Sequence, residues 1–431
     1  MNIASEHPRR THPYWPWPSL CRQIGRLLMA GTVLLLANMT QAKATDSNTI
    51  NVAIGYLELS TPSAPLLSNV LPPPDDNGEQ GAILGIADNN QGARFLGLHY
   101  GLKSKRSDSL EVLLEQAQQW HTQGVRYLVT HMPAPALKTL SQAWQGKPML
   151  IMNAGAPDNG LRTTECLSNV LHTLPSRAML TDALGQWLIQ RRLGRWLIIE
   201  GQQADDNAFA NSVRRTAKRY GARVVAEKTW TFESDLRRSA QTEVPLFTKT
   251  REYDAVIVAD ERGDFGEFIP YNTWYPRPVA GTQGLTPTAW HRVVEQWGAA
   301  QLQSRFDKQT GRWMTDKDYA AWAAVRAIGE AIASQPAKQF SALATDNPAP
   351  LQSYLLGSEF QLAGFKGRKL TFRSWNGQLR QPIPLVQPRA LVSQSPQQGY
   401  LHPVTDLDTL GFDRPESRCA LGQSNDSDGG R

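Results

Sequence analysis

Three cysteines, eight histidines and 39 acidic residues are the side chains from which this 431-residue chain could build chemistry. The histidines are scattered singly and give no metal-ligand spacing. The chain contains no H-E-x-x-H, C-x-x-C or G-x-S-x-G, and neither of the glycine-rich phosphate loops. His131 closes the apolar run "VRYLVTH" and could serve as a base or hydrogen-bond donor. No nucleophile is placed beside it, so no catalytic residue is assigned and the chain reads as a non-enzyme. Asp260, Glu261, Asp264 and Glu267 in "ADERGDFGEFIPYNTWYP" (259–276) have donors suited to a hard cation but lack calcium-loop spacing. They read as a solvated acidic loop, with a cation site as the alternative; no metal and no cofactor is expected. The same stretch carries Phe265, Phe268, Tyr271, Trp274 and Tyr275, rings that either cover a flat or apolar ligand or pack as core.

The second chemical feature is "PMLIMNAGAPDNGLR" (148–162), an apolar run that stops in a loop with Gly155, Pro157 and Gly160. A strand followed by a glycine-bearing loop can offer backbone N–H groups to a ligand.

The beginning of the chain sets the compartment. Arg22 and Arg26 precede "LLMAGTVLLLA", which is too short to span a bilayer, and an A-x-A site follows at Ala42-Lys43-Ala44. This pattern predicts a cleaved export signal over 1–44 and a mature start at Thr45; an uncleaved anchor is the other reading. Removing the leader, with five Lys/Arg and one acid, takes the formal charge from +6 to +2. The basic balance is therefore no argument for nucleic acid. Cys21 leaves with the leader, and Cys166 and Cys419 remain as a pair in an oxidising compartment, either bridged or separately buried.

The elements that must position these residues alternate. Strand-like "TINVAIGYL", "RFLGLHY", "VRYLVTH" and "PMLIMNAG" are separated by the helical patterns "GEQGAILGIADNN", "SLEVLLEQAQQWHTQG" and "PALKTLSQAWQG". After "VLHTLPS" (170–176) the alternation restarts with "RAMLTDALGQWLIQRRLG", "RWLIIEG", "NAFANSVRRTAKRYGA" and "RVVAEKTW". A polar segment then leads to "YDAVIVAD" and "RPVAGTQG". Such runs argue for parallel sheets covered on both faces, and the length argues for two domains. Tyr319, Trp322, Ala323, Ile328 and Ile332 mark a helix over 316–334, and Asn376-Gly377 a hairpin turn.

In this order, the motifs resemble the type I periplasmic solute-binding proteins, nearest the branched-chain amino acid group that serves ABC importers. "IADNNQGARFLG", "HTLPSRAMLTDAL", "WGAAQLQSRF" and "DYAAWAAVRAI" resemble a subfamily whose genes accompany pyrroloquinoline-quinone-dependent alcohol oxidation. The resemblance implies an α/β fold of two Rossmann-like lobes with a hinge of three crossings. Lobe one would span 45–172, lobe two 173–300, a return to lobe one with the hairpin 301–418, and a disordered tail 419–431. A ligand would lie between the lobes at the strands' carboxyl ends. Lobe one would offer Thr61, His131, Asn153, Ala154 and Ala156. Lobe two would offer Asp260, Tyr271, Trp274, Thr282 and Gln283. Met132, Pro133 and Pro157 stand where relatives carry hydroxyl side chains, which disfavours a free branched-chain amino acid.

The expected protein is thus the monomeric periplasmic solute-binding component of an ABC system. Its partners would be an inner-membrane permease and a quinoprotein oxidation system, with no nucleic acid. A sensor or accessory module of that oxidation system is the alternative.

Overall fold

The computed structural model describes residues 49–60, 72–231 and 236–421. The expected leader, Thr61 and the last ten residues lie outside them. In lobe one, β1 (Ile50–Leu59), α1 (Glu79–Ala93), β2 (Leu98–Ser107), α2 (Leu110–Thr122), β3 (Tyr127–His131), α3 (Ala134–Ala143), β4 (Leu150–Asn153) and β5 (Val170–His172) follow one another. The strands form a parallel sheet of order β2-β1-β3-β4-β5. Successive residues of a strand point to opposite faces, and here both faces are buried. Ile54, Val129 and Met152 therefore enter one apolar cluster, and Leu57, Leu128 and Ile151 the other. The Ser109 hydroxyl accepts the Val112 amide and starts α2, as the sequence pattern requires.

Lobe two repeats the plan with α4 (Arg177–Gln190), β6 (Arg195–Glu200), α5 (Ala204–Tyr220), β7 (Arg223–Thr229), α6 (Leu236–Thr248), β8 (Ala255–Ala259) and β9 (Val279–Gly281). Its parallel sheet has the order β7-β6-β8-β9. The segment read as merely polar contains α6, which Pro245 and its charged residues disguise.

The chain passes between the lobes at 173–176 and again between β10 (Thr286–Pro287) and α7 (Ala299–Thr310). Helix α8 (Asp316–Ala333) lies on lobe one against α1, so closely that a Cβ on Gly81 would sit 1.8 Å from the Asp318 carbonyl oxygen. Strands β11 (Leu362–Ala363), β12 (Lys369–Phe372) and β13 (Leu379–Arg380) follow, with the Asn376-Gly377 turn between β12 and β13 and Gly377 at φ 67°. After β13 the chain crosses a third time. Strands β14 (Ile383–Gln387) and β15 (Ala390–Ser395) pair with each other and with β10. Ile383 and Leu385 pack with Met179, Ala183 and Leu184 of α4. Within 301–418, therefore, α7, α8 and β11–β13 pack with lobe one, β14 and Leu410 pack with lobe two, and Leu391 of β15 packs against the lobe-one cluster.

The final segment touches both lobes. Glu416 pairs with Arg215 and Arg219 of α5, while Ser417 donates to the Arg162 carbonyl. Cys419 is bridged to Cys166 across 253 positions of sequence. Among the described residues, no helix is long and apolar enough to cross a membrane.

Candidate functional site

The carboxyl ends of β1, β2 and β3 bring together a polar cluster that local sequence hides. Glu58 is in register with Arg106 on one side and His131 on the other. Its carboxylate is 3.1 Å from Arg106 Nη2 and accepts the Tyr56 hydroxyl at 3.3 Å. Burial pushes the Glu58 carboxyl up, and Arg106 pulls it back. His131 Nδ1 lies 3.1 Å from the Asn77 carbonyl, an acceptor only, so that nitrogen carries the proton and Nε2 is the acceptor. Burial, with the charges of Lys317 and Arg106, pushes the imidazole down to about 3, against the pull of the Asn77 hydrogen bond. It is neutral at physiological pH. The signal in the sequence was a lone acid near the end of an otherwise apolar strand.

The loop 153–160 is engaged with the protein itself. Asn153 Oδ1 accepts the amides of Gly155 and Ala156, and its Nδ2 donates to the Ala156 carbonyl. The Ala154 amide donates to Thr130. Arg162, fully buried and pushed down by burial to about 9, grips the Ala156 and Asp158 carbonyls from behind. Gly155 is required here, since a Cβ would lie 2.6 Å from the Met132 amide. The Asn153 side chain, the Ala154 amide and both backbone groups of Ala156 are thus paired within the protein. The loop's outer side faces lobe two: Pro157 accepts the Arg177 amide, Asn159 Oδ1 the Ala178 amide, and Asn159 Nδ2 donates to Ser212.

In lobe two, Asp260 organises the loop that follows it. Its two carboxylate oxygens accept four amides, those of Gly263, Asp264, Phe265 and Gly266, at 2.6–2.9 Å. Thr282 donates to Val258 and accepts the Asp260 amide, which ties β8 to β9. Gln283 remains: it borders Gly266, is half-buried, and its amide has no partner among the described residues.

The aromatic residues divide. Phe265 stacks on Trp230 with ring centroids 5.0 Å apart, and Phe268 and Tyr275 pack into the same core. Trp274 is displaced from the expected cleft. Its amide donates to Thr248 and its ring faces Lys249 Nζ at 4.4 Å, both of which precede β8 at the amino end of the sheet. A parallel connection from β8 to β9 must carry the chain back to that end. Tyr271 is fully exposed with φ 70°. Among the described residues, no cluster of His, Cys, Asp and Glu could hold a metal ion. Glu261, one of the acids considered for a cation, instead pairs with Arg177.

Residues 108–268 match a family model described as periplasmic binding protein. No curated protein matches the chain. The fold is similar to that of a branched-chain amino acid ABC transporter periplasmic ligand-binding protein from Burkholderia xenovorans. Its TM-score is 0.64 at 16% identity, over 86% of this chain and 100% of that one. A substrate-binding protein from Desulfitobacterium hafniense in complex with Leu gives 0.61 at 15% identity, over 80% and 100%. A solute-binding protein from R. palustris in complex with benzoate gives 0.57 at 11% identity, over 79% and 95%. The chain thus has the two-lobed α/β fold of type I periplasmic binding proteins.

Proposed function

We propose that this chain is the extracytoplasmic solute-binding component of an ABC transport system, a binder and not an enzyme. It would be exported by cleavage after Ala44 and deliver its ligand to an inner-membrane permease. The observation that carries this reading is the match over 108–268, which runs from lobe one through the first crossing into lobe two. The domain boundaries 45–172, 173–300 and 301–418 belong to the same proposal. N-terminal sequencing of periplasmic material is expected to read Thr45, and a start at Met1 overturns the export reading.

The ligand would lie between the carboxyl ends of the two sheets. Of the candidates of the sequence reading, His131 Nε2 and the Gln283 amide have no partner among the described residues, and Glu58 lies beside His131. Solved relatives of this fold hold leucine in one case and benzoate in another, so the fold restricts ligand class little. A free amino acid needs a partner for each of its charged ends, and an unpaired charge in a closed cleft costs several kcal/mol. The internal pairing of Asn153, Ala154 and Ala156, with Met132, Pro133 and Pro157 at positions of hydroxyl side chains, supports a small, weakly charged or aromatic solute instead. Calorimetric titration with leucine, isoleucine and valine is expected to show nothing tighter than about 1 mM. A micromolar constant for any of them overturns this ligand class.

A link to quinoprotein alcohol oxidation rests on the four sequence motifs alone. On the alternative reading the chain senses a ligand for that system, or docks on it, without feeding a permease. Affinity capture from the native periplasm and membrane separates the two: a permease supports transport, an oxidase or cytochrome supports the accessory role.

A further inference from the structure

The chain passes between the lobes a fourth time, at its end. Residues 409–416 are held by lobe two. Leu410 enters that lobe's core, and Asp182 of α4 accepts the Gly411 amide at 2.9 Å. Arg215 and Arg219 of α5 donate to the Gly411 carbonyl at 2.8 and 2.6 Å and both pair with Glu416. Tyr220 donates to the Thr409 carbonyl. Lobe one then takes the chain over. The Ser417 hydroxyl and the Arg418 amide donate to the Arg162 and Thr163 carbonyls, Cys419 is bridged to Cys166, and the Leu421 amide donates to the Trp375 carbonyl.

The two grips overlap. Arg373, which follows β12 of lobe one, donates to the Leu407, Leu410 and Phe412 carbonyls and to Asp408. Arg380 of β13 donates to the same Asp408 oxygen. Gly411 marks the meeting point of the lobes. Its φ is 81°, and a Cβ there would lie 2.7 Å from Met179 of α4 and 3.4 Å from Arg373 Nη1. Asp182, Arg373 and Asp408 are all buried. Lobes that turn apart as rigid bodies must pull residues 407–412 out of one grip or the other, which leaves buried charges without partners.

We infer that residues 407–419 are a strap that limits how far the two lobes can part, and that the Cys166–Cys419 bridge is its fixed end. Glu416, held by lobe two, and Cys419, held by lobe one, are three positions apart. Such a stretch spans at most about 11 Å when fully extended. Without the bridge the last residues can leave lobe one and travel with lobe two, exchanging their hydrogen bonds for water. With it they cannot. A protein kept from its widest open states spends a larger share of its time ready to close, and apparent affinity rises with that share. The inference concerns the movement of the lobes and is independent of which ligand the cleft takes and of the transport reading.

The test measures the distance between two spin labels on the mature protein by double electron–electron resonance. The labels are attached to ketone side chains placed at Glu111 and Ala204, so both cysteines stay native. These exposed residues lie in the first turns of α2 and α5, which follow the carboxyl ends of β2 and β6. Cys166→Ser/Cys419→Ser is expected to add distances longer than the parent's by more than about 2 Å. Gly411→Ala/Glu416→Gln, which keeps the bridge and loosens the lobe-two end, is expected to do the same. Distances are read only from variants that keep the parent's circular dichroism, and where one variant unfolds the other decides. Distances unchanged in the serine pair overturn the inference. Lengthening there but not in Gly411→Ala/Glu416→Gln overturns it as well, since lobe two would then not be holding the strap.

Discussion

Arg177 and Glu261 form a two-point ion pair, with Nε and Nη2 each 2.7 Å from a carboxylate oxygen. The pair joins the start of α4 to the loop after β8, while Asp205 at 2.7 Å and Asp158 at 3.4 Å attend the same guanidinium. Arg177 is buried while Glu261 lies at the surface, with 23% of its side chain accessible, so loss of the arginine leaves a carboxylate that water can reach. Arg177→Met is expected to cost about 1–3 kcal/mol in urea unfolding. The double variant with Glu261→Gln should cost less than the sum of the two single ones. Simple additivity would show that the two side chains are uncoupled.

Among the described residues, Asp260 is the one side chain that receives the amides of residues 263–266. Asp260→Asn replaces one acceptor oxygen by a donor facing two of those amides. The expected loss is about 1–3 kcal/mol, together with faster amide exchange confined to 261–268. Exchange left as in the parent protein would refute the organising role.

The Cys166–Cys419 bridge makes the end of the chain part of lobe one. Reduction, or the Cys166→Ser/Cys419→Ser pair, is expected to lower stability by about 2–5 kcal/mol. Limited proteolysis should then cut near residue 413, which the oxidised protein resists. Two free thiols titrated in the denatured, unreduced protein would contradict the bridge.

Acid should weaken the fold through its buried histidines. The unfolded chain protonates His131 near pH 6.5, whereas the folded protein resists until about 3. As pH falls below about 6.5 only the unfolded state gains that proton, so stability falls by about 1.4 kcal/mol per pH unit for this group. His172, pushed well down by burial, acts in the same sense. Glu58 acts oppositely: its raised folded-state value gives stability at low pH that is lost as pH rises through it. Unfolding free energies at about pH 7 and about pH 5.5 are therefore compared between the parent protein and His131→Gln, which share every carboxyl. In His131→Gln the difference between the two should shrink by about 1 kcal/mol, and an unchanged difference would sink the assignment.

What the sequence disclosed follows from what is local. Strands β3, β4 and β8 are buried on both faces, so "VRYLVTH", "PMLIMN" and "YDAVIVAD" read as strands without their partners. The Asn376-Gly377 turn and the face of α8 are local for the same reason. The cluster of Glu58, Arg106 and His131 depends on register between strands distant in sequence, and no window contains it. Trp274 looked close to a strand end because residue 259 is nearby in sequence. The sheet's parallel order instead sends it to the opposite end. Strand β2 ran on to Ser107 through charged residues, which an apolar count ends too early.

The bridge between Cys166 and Cys419 also decides how the molecule bears a pull. It closes a covalent ring that contains every residue of lobe two, with β1–β4 on the open strand before it. Tension applied at the two ends of the chain passes through the sulfur–sulfur link and never enters the ring. Lobe two is mechanically shielded, and a device drawing the ends apart would unravel lobe one alone until the link is reduced.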